Sequence, residues 1–296
     1  MAKKIKIHQI DAFSERPFEG NPAGVTFGDN LTDAEMQSIA NEMNLAETAF
    51  LSKQSASTPA LEKADYNLRW FTPATEVELC GHATIASLHF LAGLKKLKKN
   101  SSVTFNTRSG VLKCMTEGPF YFMQIPHFQL KKYTGNLNPV LAALDLTADD
   151  IDPRTPPVLV ENGYLYIYIK SLEKLQSLQP DFRSLLKLSG KSGDFSCVHV
   201  FTLETVDAES FAHGRFFAPY YGIDEDPVTG SANGPLMLVL MNLGLIKEVG
   251  RELNLVFEQG DTIGRRGRVG VRYIPSTREL YIFGKAVTVL KGEMFL

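Results

Sequence analysis

Two short turns carry the residues best suited to chemistry, Cys80-Gly81-His82 and Thr229-Gly230-Ser231. Each opens an apolar run of helical character. A helix N-terminus presents backbone N–H groups and partial positive charge, which suits it to a carboxylate or phosphate. Gly81 and Gly230 let backbone approach such a ligand closely. Either turn alone reads as an ordinary capped helix start; as a pair they read as two anion cradles bracketing one small carboxylate-bearing substrate. His82 can donate or accept a proton near neutrality, or serve as a core or capping histidine. Asp226, ahead of Pro227 and the second turn, could orient or share a proton while Ser231 hydrogen-bonds the substrate. The alternative there is plain turn chemistry with Thr229 or Ser231 as the cap.

Glu47 lies in Asn44-Leu45-Ala46-Glu47-Thr48-Ala49-Phe50. Among apolar neighbours a carboxylate's pKa rises, which suits a group that takes and returns a proton. Its place after a helix and before the strand from Ala49 predicts an exposed loop residue. The six histidines are scattered, without HExxH or paired Cys-x-x-Cys spacing, so no metal site is expected. G-x-G-x-x-G, G-x-S-x-G and P-loop patterns are absent as well, and the expected cofactors are none. Gly264-Arg265-Arg266-Gly267-Arg268 reads as a hairpin turn, with substrate attraction as the lesser alternative.

These residues must be positioned by a chain of 296 residues, comfortable for two domains. An internal repeat supports that division. Arg69-Trp70-Phe71-Thr72-Pro73 is echoed by Arg215-Phe216-Phe217-Ala218-Pro219, and each block is followed by an acidic loop and then one of the two turns. Helices are expected at about Thr32 to Asn44, His82 to Leu94, Pro139 to Leu144, Asp181 to Leu188 and Asn233 to Leu243. Strands are expected at Lys6 to Phe13, Ala23 to Phe27, Thr48 to Ser52, Tyr66 to Phe71 and, further on, Ser102 to Thr107, Gly110 to Thr116, Phe120 to Ile125, Val158 to Glu161, Tyr164 to Ile169, Val198 to Leu203, Val269 to Ile274 and Leu280 to Val289. Pro17 to Ala23 and Ser55 to Glu62 read as loops. Helices apolar on nearly all sides belong in cores, so a curved sheet around one helix is expected in each half.

Bulk properties narrow the partners. Hydrophobic residues make up 44% and charged residues 22%, with a formal net charge of −2. Lys95, Lys96, Lys98 and Lys99 form the only dense basic run, too little for a nucleic-acid footprint. No apolar stretch is long enough for a membrane span. Three distant cysteines and an N-terminus without a signal-peptide core predict a reducing, cytoplasmic setting.

Four blocks taken in order resemble the PhzF family, the phenazine-biosynthesis isomerase-like proteins that include YddE-like chains. They are Asp11-Ala12-Phe13 with Phe18 to Val25, Asn44 to Phe50, Arg69 to Pro73 with Cys80 to Thr84, and Asp226 to Ala232. The resemblance implies an α+β, diaminopimelate epimerase-like fold with two pseudo-symmetric lobes, each a β-barrel-like sheet around a central helix. The lobes would be residues 1–117 plus about 284–296, and 118–283, with the active site in the cleft. It also implies that Glu47 is the proton shuttle, that His82, Asp226 and Ser231 line the site with backbone from the Gly81 and Gly230 turns, and that a homodimer is possible. Phenazine-pathway members isomerise a dihydro-hydroxyanthranilate, whereas YddE-like relatives have no settled substrate.

One departure matters. The related epimerases and proline racemases use two opposed cysteines; here Cys80 matches the first, but Thr229 stands at the second. A threonine hydroxyl cannot supply a thiolate. The expectation is therefore a cofactor-independent isomerase with Glu47 as acid/base. The alternatives are an amino- or imino-acid epimerase using Cys80, or a non-catalytic small-molecule-binding protein.

Overall fold

A computed structural model describes residues 3–53, 63–190, 194–247 and 250–296. The loop expected at Ser55 to Glu62 lies outside them. The described chain runs β1 (Lys4–Ala12), β2 (Asn21–Phe27), α1 (Asp33–Met43), β3 (Glu47–Ser52), β4 (Tyr66–Phe71), β5 (Glu76–Val77), α2 (Gly81–Gly93), β6 (Ser102–Thr107), β7 (Gly110–Glu117) and β8 (Phe120–Ile125). It continues through β9 (Leu130–Lys132), α3 (Leu137–Ala143), β10 (Val158–Val160), β11 (Tyr164–Tyr168), α4 (Leu172–Ser177), α5 (Phe182–Leu188), β12 (Cys197–Thr202), β13 (Ala212–Ala218) and β14 (Ile223–Asp226). Last come α6 (Gly230–Asn242), β15 (Leu253–Gln259), β16 (Gly267–Ile274), β17 (Glu279–Gly284) and β18 (Ala286–Phe295).

The chain divides into two compact units, Met1–Ile125 with Tyr281–Leu296, and Pro126–Leu280. In the first, β1 pairs antiparallel with both β2 and β18, and β2 runs parallel to β3 across α1. β4 is antiparallel to β3 and β5 and parallel to β6, from which β7 and β8 continue as a meander. Helix α2 packs against β1, β2, β3, β8 and β18. Its residues from Gly81 to Leu88 are all buried, so it is the core of the unit rather than an amphipathic cover. That role falls to α1, whose Met36, Ile39 and Ala40 pack on Ile7, Phe50 and Phe71. A capping box between Thr32 and Glu35 starts α1, and Asn44 ends it in the left-handed conformation at φ 49°.

The second unit repeats the pattern. β11 runs parallel to β12, β13 is antiparallel to β12 and β14 and parallel to β15, and β16 follows β15 antiparallel. Helix α6, packed against β9, β11 and β16, takes the central place. The cover is α3 to α5, whose Val140, Leu141, Leu175 and Leu185 join the core with Leu165, Ile167, Val198, Val200 and Phe217. The repeated sequence block has one physical job in both units. Arg69 forks onto Glu76 at 2.7 and 2.8 Å and lies 5.1 Å over the Phe71 ring. Arg215 forks onto Glu225 at 2.9 and 2.8 Å and lies 5.1 Å over the Phe217 ring. Each strand end is thus clamped to the acidic segment that leads into a central helix.

Several elements differ from expectation. β2 begins at Asn21, inside the expected loop, because Asn21 and Pro22 already pair with Ala12 and Asp11. α6 begins at Gly230 rather than Asn233. The expected strand from Leu280 to Val289 is two, β17 and β18, broken at Lys285. Glu47 is not in a loop: it is the first residue of β3, paired with Ala23. Gly24 makes that pairing possible, since a Cβ there would stand 2.7 Å from Thr48 Oγ1. No helix of the described residues is long and apolar enough to cross a membrane.

Candidate functional site

The first unit brings three of the sequence candidates together. Glu47 heads β3 and His82 lies in the first turn of α2, with His82 Nε2 3.3 Å from Glu47 Oε2. On the other side of the ring, Cys80 Sγ lies 3.5 Å from His82 Nδ1. The side chain of Glu47 keeps 16% of its surface exposed, whereas His82 and Cys80 are buried. Burial pushes the His82 pKa down to about 3, so the imidazole is neutral through the physiological range. A neutral imidazole has one donor and one acceptor nitrogen, and between a thiol and a carboxylate it can serve one with each.

The second unit assembles a different set around the start of α6. The Thr229 hydroxyl donates to Asp226 Oδ2 across the Asp226–Thr229 turn. Gln259, at the end of β15, accepts at Oε1 from Thr229 N–H (3.1 Å) and Asn233 Nδ2 (2.6 Å). Its Nε2 donates to the Asp226 carbonyl (2.7 Å) and to Thr229 Oγ1 (3.1 Å). Ser231 Oγ lies 3.4 Å from Tyr164 OH. Pro235 cannot donate to the Ser231 carbonyl four residues back. Asn162 Nδ2 reaches that carbonyl at 3.5 Å instead.

Neither Cys80 nor Thr229 caps its helix with its side chain. By contrast, side chains cap α1, α3, α4 and α5 through Thr32, Asn136, Ser171 and Asp181. The two long apolar helices are therefore the ones whose first-turn N–H groups are not committed to a cap, at the Gly81 and Gly230 turns.

The strand registers align the units residue by residue. Phe71 lies opposite Thr48 and Glu76 in the first unit, and Phe217 opposite Val198 and Glu225 in the second. One residue back, Glu47 corresponds to Cys197, just as Cys80 corresponds to Thr229 and His82 to Ser231. Cys197 is buried, and its thiol is pushed up to about 12 chiefly by that burial.

Gln259, Asn233, Tyr164 and Cys197 were not singled out from sequence, and none sits in a recognisable motif. The basic hairpin joins β15 to β16 as expected, and Arg266 and Arg268 are paired with Asp207 and Asp261. Spacing also concealed a possible metal-ligand group: among the described residues, Glu47, Cys80 and His82 each place a ligand atom within 4.8 Å of the others.

Residues 10–292 match the PhzC-PhzF family, described as phenazine biosynthesis-like protein. The chain belongs to the PhzC-PhzF family. It is 37% identical to an uncharacterized isomerase of Clostridium acetobutylicum, over 100% of both chains. It is 34% identical to the uncharacterized isomerase YddE of Escherichia coli, over 98% of each. The PhzF-family phenazine biosynthesis protein of Bacillus anthracis superposes with a TM-score of 0.89 at 30% identity, covering 99% of this chain and 100% of that one. A hydroxyproline epimerase from Agrobacterium vitis shares the fold at 10% identity, with a TM-score of 0.61 over 99% of this chain and 93% of its own. The α+β fold of the PhzF proteins and the related epimerases is therefore the fold of this chain.

Proposed function

We propose that this PhzC-PhzF protein is a cofactor-independent isomerase that moves a proton on a small, cyclic, carboxylate-bearing metabolite, with Glu47 as the acid/base. The observation that carries the reading is Glu47 itself, a partly exposed carboxylate at the head of β3, 3.3 Å from a buried neutral imidazole. The Glu47 carboxylate takes a proton from a carbon beside an unsaturated or carboxyl-activated centre, and the electron pair shifts into the conjugated system. The resulting carboxylic acid then returns the proton to another carbon of that system, leaving substrate and enzyme balanced.

In this reading, charge developing on the substrate is met by backbone donors at the uncapped start of α2, the kind of preorganised dipole that contributes most in enzymes. In this reading His82 and Asp226 handle heteroatom protons, while Ser231, Thr229 and Cys80 bind substrate. The deciding measurement is solvent deuterium incorporation into candidate cyclic carboxylates, followed by NMR. Glu47→Gln should lose about a thousandfold in exchange rate, and an unchanged rate removes Glu47 from the role.

The 3.5 Å contact between Cys80 and His82 favours a second reading, an amino- or imino-acid epimerase with Cys80 as base. Loss of α-proton exchange in Cys80→Ala with retention in Glu47→Gln would select it. The thiol has no thiol counterpart at Thr229, so that reading needs a different second acid.

A further inference from the structure

We propose that the first unit carries a binding site for a small aromatic carboxylate at the C-terminal end of α2, lined by Lys6, His8, Phe27, Phe90 and Leu94. A cavity of about 430 Å³ lies there between β1, β2 and the last turn of α2, the size of an ordinary small-molecule pocket. β1 builds one wall by alternation. Ile5 and Ile7 pack in the α1 core, which leaves Lys4, Lys6 and His8 on the face toward α2. Phe90 is eight residues along α2 from His82, about 12 Å of helix rise. A ligand here leaves Glu47 free, and the inference stands apart from the isomerase reading.

The lining is aromatic within and cationic at its rim. Phe90 meets the Phe27 ring at 5.3 Å and the His8 ring at 4.9 Å, the latter edge to face, and Leu31 and Leu94 add apolar surface for a flat ring. Lys3 and Lys4 are neutralised by Glu35 and Glu293. Among the described residues, Lys6 has no ion-pair or hydrogen-bond partner for its ammonium. Lys291 stands opposite His8 on β18, and Lys96 lies 5.6 Å over the Phe27 ring. Asp29, the carboxylate in the lining, accepts from the Lys53 N–H at 2.8 Å. Burial, then the charges of Lys291 and Lys6, hold the His8 pKa below its ordinary value, so the ring sits in a positive potential that Asp29 does not cancel. One unpaired lining lysine, with no arginine fork among the described lining residues, suits a singly charged carboxylate over a phosphate dianion.

The test follows the His8 ring by NMR in the full chain, its signal assigned by loss in His8→Asn, with benzoate as the probe. Benzoate should saturate and raise the His8 pKa, because a nearby anion favours the imidazolium. The groups facing that ring are Lys6 on its own strand, Lys291 on β18 and His89 on α2, while β2 offers Val25. By linkage, benzoate should bind more tightly as pH falls through the His8 pKa. Lys6 is exposed, so Lys6→Gln spares the core; it should weaken benzoate about tenfold. Acetate keeps the charge but lacks the ring, and should bind about tenfold or more weakly than benzoate. A His8 pKa unmoved by benzoate, equal affinity in Lys6→Gln, or acetate binding as tightly as benzoate each overturns the proposal.

Discussion

The two units share their supports and differ in their reactive groups. Both have the Arg–Glu fork, the cation over a phenylalanine ring and a central helix without a side-chain cap. At matching positions, however, one unit carries Glu47, Cys80 and His82 where the other carries Cys197, Thr229 and Ser231. The duplicated scaffold conserves whatever fixes the strand-to-helix geometry, while the side chains at the helix starts are free to diverge. A buried thiol, held protonated by its burial, stands at Cys197 where the first unit has the partly exposed carboxyl of Glu47.

The largest expected effect comes from breaking that contrast directly. Glu47→Gln should cost about a thousandfold in deuterium exchange, whereas Cys197→Ala should leave exchange within about threefold and lower stability by about 1 kcal/mol through a small cavity. Comparable losses at both positions would mean that the register correspondence does not separate chemistry from packing. Next in size is the fork. The Arg215 side chain is 7% exposed and also donates to the Leu175 and Leu178 carbonyls, whereas that of Arg69 is 29% exposed. Arg215→Met should therefore cost about 3 kcal/mol in urea unfolding, and Arg69→Met about 1 kcal/mol. Gln259→Ala leaves buried donors at Thr229 and Asn233 without their acceptor and should cost about 2 kcal/mol. In calorimetry, a smaller loss would show that water replaces the amide.

The remaining contrast is a difference in acid response. His213 and Glu258 face each other across β13 and β15 at 2.7 Å, where the first unit has the neutral pair Asn67 and Asn106 at 3.1 Å. Burial alone would raise the Glu258 pKa. Hydrogen bonds from His213 and from the Val206 and Asp207 N–H groups, with the Arg268 charge, outweigh it and hold the carboxyl at about 2. A folded pKa below the unfolded value of 4.5 means that its stabilisation is complete above about pH 4.5 and is lost as pH falls toward 2. Hydrogen exchange should thus rise in β13 and β15 before β4 and β6 on acidification. Simultaneous rise in both would remove Glu258 as the cause, and Glu258→Gln should flatten the difference.

Much of this was legible in the sequence because local chemistry and tertiary role coincide there. Thr32 with Glu35 marks the start of α1, and the Arg-aromatic-Phe-x-Pro blocks mark the repeat. Both central helices were visible as runs apolar on every side. Glu47 was misplaced because a charged residue at a strand head looks like a loop residue until Gly24 is seen to let β3 pair beside β2. The start of α6 was misread because Gly230, Gly234 and Pro235 oppose helix locally and are overruled by burial. Gln259 could not be assigned at all: its four hydrogen bonds reach residues distant in the chain, and no spacing rule encodes that.

Pro235 gives the two helix starts different mechanical characters. At the first carbonyl the two helices are alike, Cys80 held by Thr84 N–H at 3.2 Å and Thr84 Oγ1 at 2.6 Å, Thr229 by Asn233 N–H at 2.9 Å and Asn233 Nδ2 at 3.0 Å. One turn in, where α2 has no proline, they part. In α6 the Ser231 carbonyl is moored to Asn162 in the turn between β10 and β11. Strain applied to that turn is therefore transmitted to the first coil of α6 without passing along the helix. Asn162 works there as an external tether, whereas the corresponding coil of α2 bears its load internally.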